Sequence, residues 1–349
     1  MKRSGHLFES VVDFNRLCIS AKRAAIGTRT MESLSFMADL EREVLHLQSE
    51  LLSRSYRPGE YITFAVKDPK PRTISASPFR DRVVHHALCA ALDPLLERYL
   101  IDDCYACRVG KGTVAAIDRA QLFVGRYDWY AKLDVRHFFE TVHHQILKTA
   151  ISRLVKDPAI IWLADLFIDK GAPGSMTGKG LPIGNLTSQN FANLYLGAFD
   201  HFMKEIACVP GYVRYMDDIL MFDNDRRRLR DSVLAADLYM KKIRLELKDE
   251  VCRRGKTADG VAFLGFNIFP RFIRFDHPRR RRFARRVKAV TRGFENGEVS
   301  FQYLLSSMQS LIGWARIGQT AAFTRCVCAP DHIDSHDGET GLESVLDTG

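Results

Sequence analysis

The segment VRYMDDILMF, residues 213–222, sets adjacent acids inside an apolar run. Two adjacent carboxylates, Asp217 and Asp218, sit between apolar runs that read as strands, so the segment is a hairpin with the acids at its turn. Strand side chains alternate between faces, and a turn breaks that alternation and lets neighbouring aspartates point to one side. Partly buried together, they repel each other and lose solvation. Left unpaired in an apolar hairpin they are destabilising. A divalent cation answers both problems, and Mg2+ is commonly held by one or two carboxylates plus substrate phosphates. A solvated DD turn is the plainer alternative, and the apolar flanks VRYM and ILMF weigh against it.

A third acid suits the same site. Asp134 closes the strand-like YAKLDV (130–135), 83 residues before Asp217, so only the tertiary fold brings it near. Asp134, Asp217 and Asp218 together make a catalytic set for two Mg2+ ions, with Mn2+ as a substitute, about 3.5–4 Å apart, as nucleotidyl transfer uses them.

The chain has 349 residues, 46% hydrophobic, which suits a globular enzyme of two or three lobes rather than a disordered chain. No apolar run reaches membrane-span length and MKRSGHLFES is not a signal peptide, so a cytoplasmic location is expected. Net charge is +9; residues 331–349 hold six acids and no Lys or Arg, which leaves residues 1–330 at +15. So basic a body suits a polyanion, most simply nucleic acid. Of the eight cysteines, Cys104 and Cys107 form a lone CxxC with no second pair nearby, so buried free thiols are expected rather than zinc.

The apolar spacing predicts one helix over 30–54 capped by Thr30, a strand at 61–66, and a helix over 79–100 kinked or split at Pro94. A helix is also expected at 136–147. A glycine-rich loop follows at 178–189 and opens into another helix. Beyond the DD hairpin come a helix at 229–245, a single strand at 261–269 and a very basic helix at 279–290. Strands alternate with helices and hairpins are present, which predicts an α+β fold with an antiparallel sheet.

In combination these blocks resemble reverse transcriptases. YMDD after an apolar strand is similar to their catalytic hairpin, and LDVRHFF to their first catalytic motif. GLPIGNLTSQ resembles the loop beneath the nascent base pair. DPKPRTISASPFRDRVVHHAL and YACRVGKGTVAAI resemble the fingers of the group II intron-like branch, and VAFLGF the strand that ends the palm. The resemblance runs in order from about residue 60 to 270. It implies a right-hand polymerase fold: an N-terminal helical extension (1–60), fingers and palm (61–270), a short basic helical thumb (271–329) and an acidic disordered tail (330–349). Most of the family carries LPQGxxxSP, where this chain has Ile183 and Gln189; the form IGxxxSQ resembles the enzymes of diversity-generating retroelements, bacterial or phage systems that copy a template RNA into cDNA with errors at adenines.

That resemblance implies the substrates and roles. Template RNA, the RNA–cDNA duplex and dNTPs are the expected ligands, and a small basic oligomeric accessory protein the expected partner. The Val135 backbone carbonyl joins the three aspartates as a metal ligand. Phe139, five residues after Asp134, is similar to the steric gate against a ribose 2′-hydroxyl. Arg72, then Lys67 or Lys70, are expected to clamp the triphosphate. Gly184 lets backbone approach a nucleotide. Ser188 and Gln189 either cap the next helix or touch the template. Ile183 lacks the donor and acceptor of a glutamine, which narrows discrimination between correct and misaligned pairs. Arg279, Arg280, Arg281, Arg282, Arg285 and Arg286 line a helix expected to grip duplex phosphates. Lys248 reads as a surface lysine, with proton donation to pyrophosphate as the alternative. The leading expectation is a mutagenic RNA-directed DNA polymerase; a related enzyme of antiphage defence stands second. An RNA-dependent RNA polymerase and a catalytically silent RNA-binding protein on the same fold come further behind.

Overall fold

The computed structural model describes residues 5–67, 72–248, 253–318 and 321–328. The acidic tail after 330 and Lys70 lie outside the described residues. Four helices open the chain: α1 (Phe8–Val12), α2 (Phe14–Ala25), α3 (Met31–Ala38) and α4 (Leu40–Leu52). Thr30 caps α3 by accepting from the Ser33 amide at 3.2 Å. The single helix expected over 30–54 is two, because Asp39 leaves helical geometry at φ −124° and ψ 45°. The break lets Phe36 of α3 and the Val44, Leu47, Leu51 stripe of α4 each reach the core.

The ribbon β1 (Ile62–Val66) and β2 (Arg72–Ala76) pairs antiparallel. It leads into α5 (Phe79–Tyr99), which is neither split nor ended by Pro94. Pro94 and Ala90 are both exposed, so the carbonyl that loses its helical donor faces water. Then follow α6 (Thr113–Arg126), β3 (Trp129–Asp134), α7 (Phe138–Thr141), α8 (His144–Leu154), α9 (Pro158–Lys170) and α10 (Leu186–His201). The helix expected at 136–147 is therefore a single turn and the start of α8.

The hairpin consists of β4 (Gly211–Tyr215) and β5 (Asp218–Asp223), followed by α11 (Arg226–Lys242) and β6 (Arg253–Lys256). These strands and β3 form one antiparallel sheet in the order β4-β5-β3-β6. Along β5 the faces alternate: Ile219 and Met221 enter a core with α5, α8, α9, α10 and the N-terminal helices, whereas Leu220 and Phe222 enter a second core with α6 and the C-terminal elements. Burial on both faces is why ILMF reads as an unbroken apolar run.

The strand expected at 261–269 is a tight hairpin, β7 (Val261–Phe263) and β8 (Phe266–Ile268), extended by β9 (Ile273–Phe275) into a separate sheet. Leu264 and Gly265 both have positive φ, 49° and 82°, the pattern of a type I′ turn. The chain continues through α12 (His277–Glu295), α13 (Phe301–Ala315) and α14 (Ala321–Val327). Asp276 caps α12 on the Arg279 amide at 2.8 Å.

Candidate active site

Residue 134 meets the DD turn through strand register. β3 runs antiparallel to β5 with Asp134 opposite Asp218, and Tyr215 pairs with Asp218 across the turn. Met216 and Asp217 are the two turn residues; Asp218, expected in the turn with Asp217, instead opens β5, because its pairing with Tyr215 already belongs to the ladder. Met216 has φ +55°, a left-handed conformation that costs a residue with a Cβ about 1–2 kcal/mol.

A buried cation steadies that turn. Arg214 on β4 and Asp200 on α10 are both fully buried and ion-paired at 2.6 Å. Asp200 Oδ1 also accepts from Tyr212 Oη at 2.6 Å, while Arg214 Nη1 donates to the Met216 carbonyl and to Asn193 Oδ1, each at 3.1 Å. Burial opposes the guanidinium charge, but Asp200 beside it outweighs that and holds the pKa above its ordinary value. Motif reading from sequence passes over Arg214. Its only signal is a charge inside an apolar strand three residues before Asp217.

The acids crowd one another. Burial and then the Asp134 carboxylate raise the pKa of Asp217. Burial pushes Asp218 up to about 6 against the pull of Lys132. Lys132 Nζ lies 3.0 Å from Asp218 Oδ1, hydrogen-bonds Oδ2 at 3.2 Å and donates to the Ala262 carbonyl at 3.1 Å. Lys248 Nζ donates to Asp134 Oδ1 at 2.6 Å, so it is a member of the acid cluster and not a surface lysine. Lys132 also escapes the motif reading, although it stands two residues before Asp134 and so on the same strand face.

The donor set suits a hard divalent cation in kind. It is all oxygen, largely buried and oversupplied with negative charge, and Asp218 Oδ1 is a buried acceptor without a hydrogen bond of its own. Among the described residues no three acidic, His or Cys side chains already stand as a ligand cluster; Lys132 and Lys248 neutralise two of the three carboxylates instead. Val135 bridges Leu247. The Lys248 and Arg136 amides bond the Asp134 and Glu246 carbonyls, which turns the Val135 carbonyl away from that segment.

The glycine loop is tied to the same corner. The Leu181 amide donates to the Phe139 carbonyl at 2.7 Å, and the Ser75 amide of β2 donates to the Ile183 carbonyl at 2.8 Å. Phe139 and Ile183 are half-buried, and the neighbouring Phe138 is core. Gly184 has φ +117°, and a Cβ there would meet Ile74 Cγ2 at 2.8 Å, so the close approach it permits in this structure is to β2. Ser188 and Gln189 do not cap α10: the N-cap position is Asn185, Ser188 is buried inside the first turn, and Gln189 Oε1 accepts from Cys107 Sγ at 3.2 Å. Of the two cysteines of the CxxC, Cys104 is buried and Cys107 exposed.

Beneath the loop runs a directed hydrogen-bond chain through fully buried His85. Ser77 Oγ donates to Asn185 Oδ1 at 2.8 Å, so His85 Nε2 must donate to Ser77 Oγ (3.1 Å), and Nδ1 accepts from Thr187 Oγ1 (2.9 Å). This neutral imidazole has its pKa pushed down to about 3, chiefly by burial.

Arg72 opens β2 and is exposed, yet its charge reaches Asp217 and favours the ionised carboxylate. Lys67 is exposed just after β1, at the opposite end of the same ribbon connection. On α12 the six arginines divide. Arg281, Arg285 and Arg286 are exposed. Arg280 lies over the Phe323 ring at 5.0 Å, and Arg282 is half-buried. Arg279 is packed over the Phe266 and Trp314 rings at 4.6 and 4.9 Å and donates to the Leu264 carbonyl, so its first role is structural.

An antiparallel sheet carrying acids at a hairpin turn and at the facing strand end, backed by helices, is the α+β arrangement of a right-hand polymerase. Residues 66–268, more than half of the chain, match the family model described as reverse transcriptase (RNA-dependent DNA polymerase), and the chain belongs to that family. It is 27% identical over 210 residues to Protein YkfC of Escherichia coli strain K12, a match that covers 56% of this chain and 55% of that one. It is 23% identical over 189 residues to the group II intron-encoded protein LtrA of Lactococcus lactis subsp. cremoris, covering 52% and 32%. A putative COX1/OXI3 intron 1 protein of Saccharomyces cerevisiae is 23% identical over 201 residues, covering 55% and 24%. The chain thus spans about half the length of YkfC and less of the intron proteins. Among the described residues no helix is long and apolar enough to cross a membrane.

Proposed function

We propose that the protein is an RNA-directed DNA polymerase whose reacting centre is the Asp134–Asp217–Asp218 corner. The observation that carries this reading is the register that sets Asp134 opposite Asp218 beside the turn. The three carboxylates and the Val135 carbonyl would hold two Mg2+ ions, which when bound supply charge neutralisation for phosphoryl oxygens and a lowered pKa for an attacking 3′-hydroxyl. Arg72 and Lys67 meet the triphosphate from the β1–β2 ribbon. Phe139 bounds the sugar, and the loop at Ile183 and Gly184 bounds the base pair. The exposed arginines of α12 meet the phosphates of the template–product duplex. Lys132 and Lys248 keep Asp218 and Asp134 poised until metal and substrate arrive. Asp217→Asn and Asp218→Asn are expected to abolish Mg2+-dependent dNTP incorporation on an RNA template in primer extension; retained incorporation would overturn the assignment.

Within the family we place the chain with the polymerases of diversity-generating retroelements, on the form IGNLTSQ (residues 183–189). A basic oligomeric accessory protein would then be its partner. Ile183→Gln is expected to lower misincorporation opposite template adenine in sequenced products, and unchanged error frequencies would remove the reason for this placement.

A further inference from the structure

The cleft between α12 and α13 has a chemistry that duplex binding does not use. It encloses about 470 Å3, within the range of small-ligand pockets. Its floor is apolar: Phe275 and Phe283 are almost fully buried and Leu311 is half-buried beside them. Its walls are Trp314 from α13 and Arg279, Arg282, Arg285 and Arg286 from α12. Arg279 covers Trp314 with its guanidinium and is itself anchored on the Leu264 carbonyl, which fixes the indole; yet Trp314 stays 41% exposed. An indole steadied by a cation and still two-fifths exposed leaves ring surface on which a base can stack.

The charge along its two helix walls is one-sided. Between His277 and Phe294 α12 has no acid, and α13 has no charged residue at all within Phe301–Ala315. The cleft therefore offers an aromatic face, an apolar floor and several cations, without a carboxylate on either helix wall. Duplex phosphates would use only the cations, because paired bases are stacked inside the helix. An unpaired nucleotide uses all three: its base has a free π-face for the indole and its flanking phosphates meet the arginines.

We propose that this cleft binds single-stranded nucleic acid, with one unpaired base stacked on Trp314 and the adjoining phosphates on Arg282, Arg285 and Arg286. The inference rests on α12 facing nucleic acid and adds a single-strand subsite to that reading. The two helices then divide the work. The outer arginines of α12 serve any phosphate backbone, and Trp314 selects strands whose bases are free.

The test is equilibrium binding of the full chain to fluorescein-labelled oligo(rU)12 and to a 12-base-pair duplex, in EDTA and without dNTPs, so that it is independent of catalysis. Trp314→Ala is expected to weaken oligo(rU)12 about tenfold, as loss of one base–aromatic stack does, and to change duplex affinity less than twofold. Trp314→Phe keeps a ring and should restore most of the affinity, which guards against a folding defect in α13. Unlabelled oligo(rU)12 should quench tryptophan emission of the parent and not of Trp314→Phe. Arg285→Gln with Arg286→Gln should lower the slope of log affinity against log salt for the single strand by about 1.4. Equal weakening of single strand and duplex by Trp314→Ala would overturn the proposal, as would an unchanged single-strand affinity. So would quenching by an acidic peptide of residues 331–349 but not by oligo(rU)12. Failure of primer extension with intact single-strand binding would remove the polymerase reading and leave this one standing.

Discussion

Removing Arg214 separates two jobs that one side chain performs. The first is stability. Arg214→Met leaves Asp200 fully buried with Tyr212 as its one remaining donor among the described residues. Breaking a buried ion pair from one side costs about 3–5 kcal/mol, a large part of a typical total of roughly 5–15 kcal/mol. The second job is positioning. Arg214 Nη1 holds the Met216 carbonyl, and Met216 sits at φ +55° beside Asp217. A hydrogen bond from a charged donor contributes about 1.5–3 kcal/mol, enough to offset the left-handed strain of about 1–2 kcal/mol at a residue with a Cβ.

The combined variant Arg214→Met, Asp200→Leu and Tyr212→Phe removes both buried charges together with the buried hydroxyl that would otherwise lose its acceptor. It is expected to regain most of the lost stability, because an apolar pair replaces a salt bridge at little net cost. It does not restore the hold on the turn. If the full hydrogen bond is forfeited in the transition state, kcat in primer extension falls by roughly 10- to 150-fold while urea denaturation shows near-parental stability. Adding Met216→Gly, which relaxes the strain, should recover part of the rate. A combined variant with parental stability and parental kcat would refute the positioning argument outright.

Other outcomes follow from particular contacts. His85 is buried neutral with a folded-state pKa of about 3, below the unfolded value of about 6.5, so its contribution is complete above pH 6.5 and is lost as pH falls toward 3. Between pH 6.5 and 5 that amounts to about 2 kcal/mol; urea denaturation of His85→Gln should show a correspondingly shallower loss, and identical slopes would contradict the buried neutral imidazole. Gly184→Ala adds a Cβ at positive φ against Ile74 Cγ2 and should destabilise by about 1–3 kcal/mol, with Ile74→Ala, which removes that γ carbon, recovering a fraction; full stability in the single variant would show that the loop adapts. Phe139→Ala should admit rNTPs alongside dNTPs, measured as the ratio of kcat/KM values, and an unmoved ratio would take the sugar-bounding role away from this ring.

Some of these features are legible in the residues themselves. Thr30 is a helix cap in sequence and in structure because a cap needs only its own next few amides, and Asp13 and Asp276 cap α2 and α12 by the same local rule. The DD hairpin is equally local: two apolar runs and a two-residue turn define it. Local patterns also mislead. LeuGly at 264–265 looks like a strand interior, yet both residues adopt positive φ and turn the chain back on itself. Apolar spacing across 30–54 is continuous, yet Asp39 breaks the helix so that both halves reach the core.

The residues alone therefore speak at short range: where most helices and the DD hairpin lie, that one aspartate closes a strand and two more sit at a hairpin bend, and that the body is cationic. Packing sets who meets whom. Asp134 faces Asp218 because β3 and β5 align in one register and not a neighbouring one. Lys132 and Lys248 reach those acids, and Arg214 finds Asp200 beneath the turn, only once strands and helices are stacked. Periodicity reports which side of an element is buried, whereas a charge in a low-dielectric interior is satisfied by whichever partner the packing delivers, and that partner leaves no mark on the local pattern.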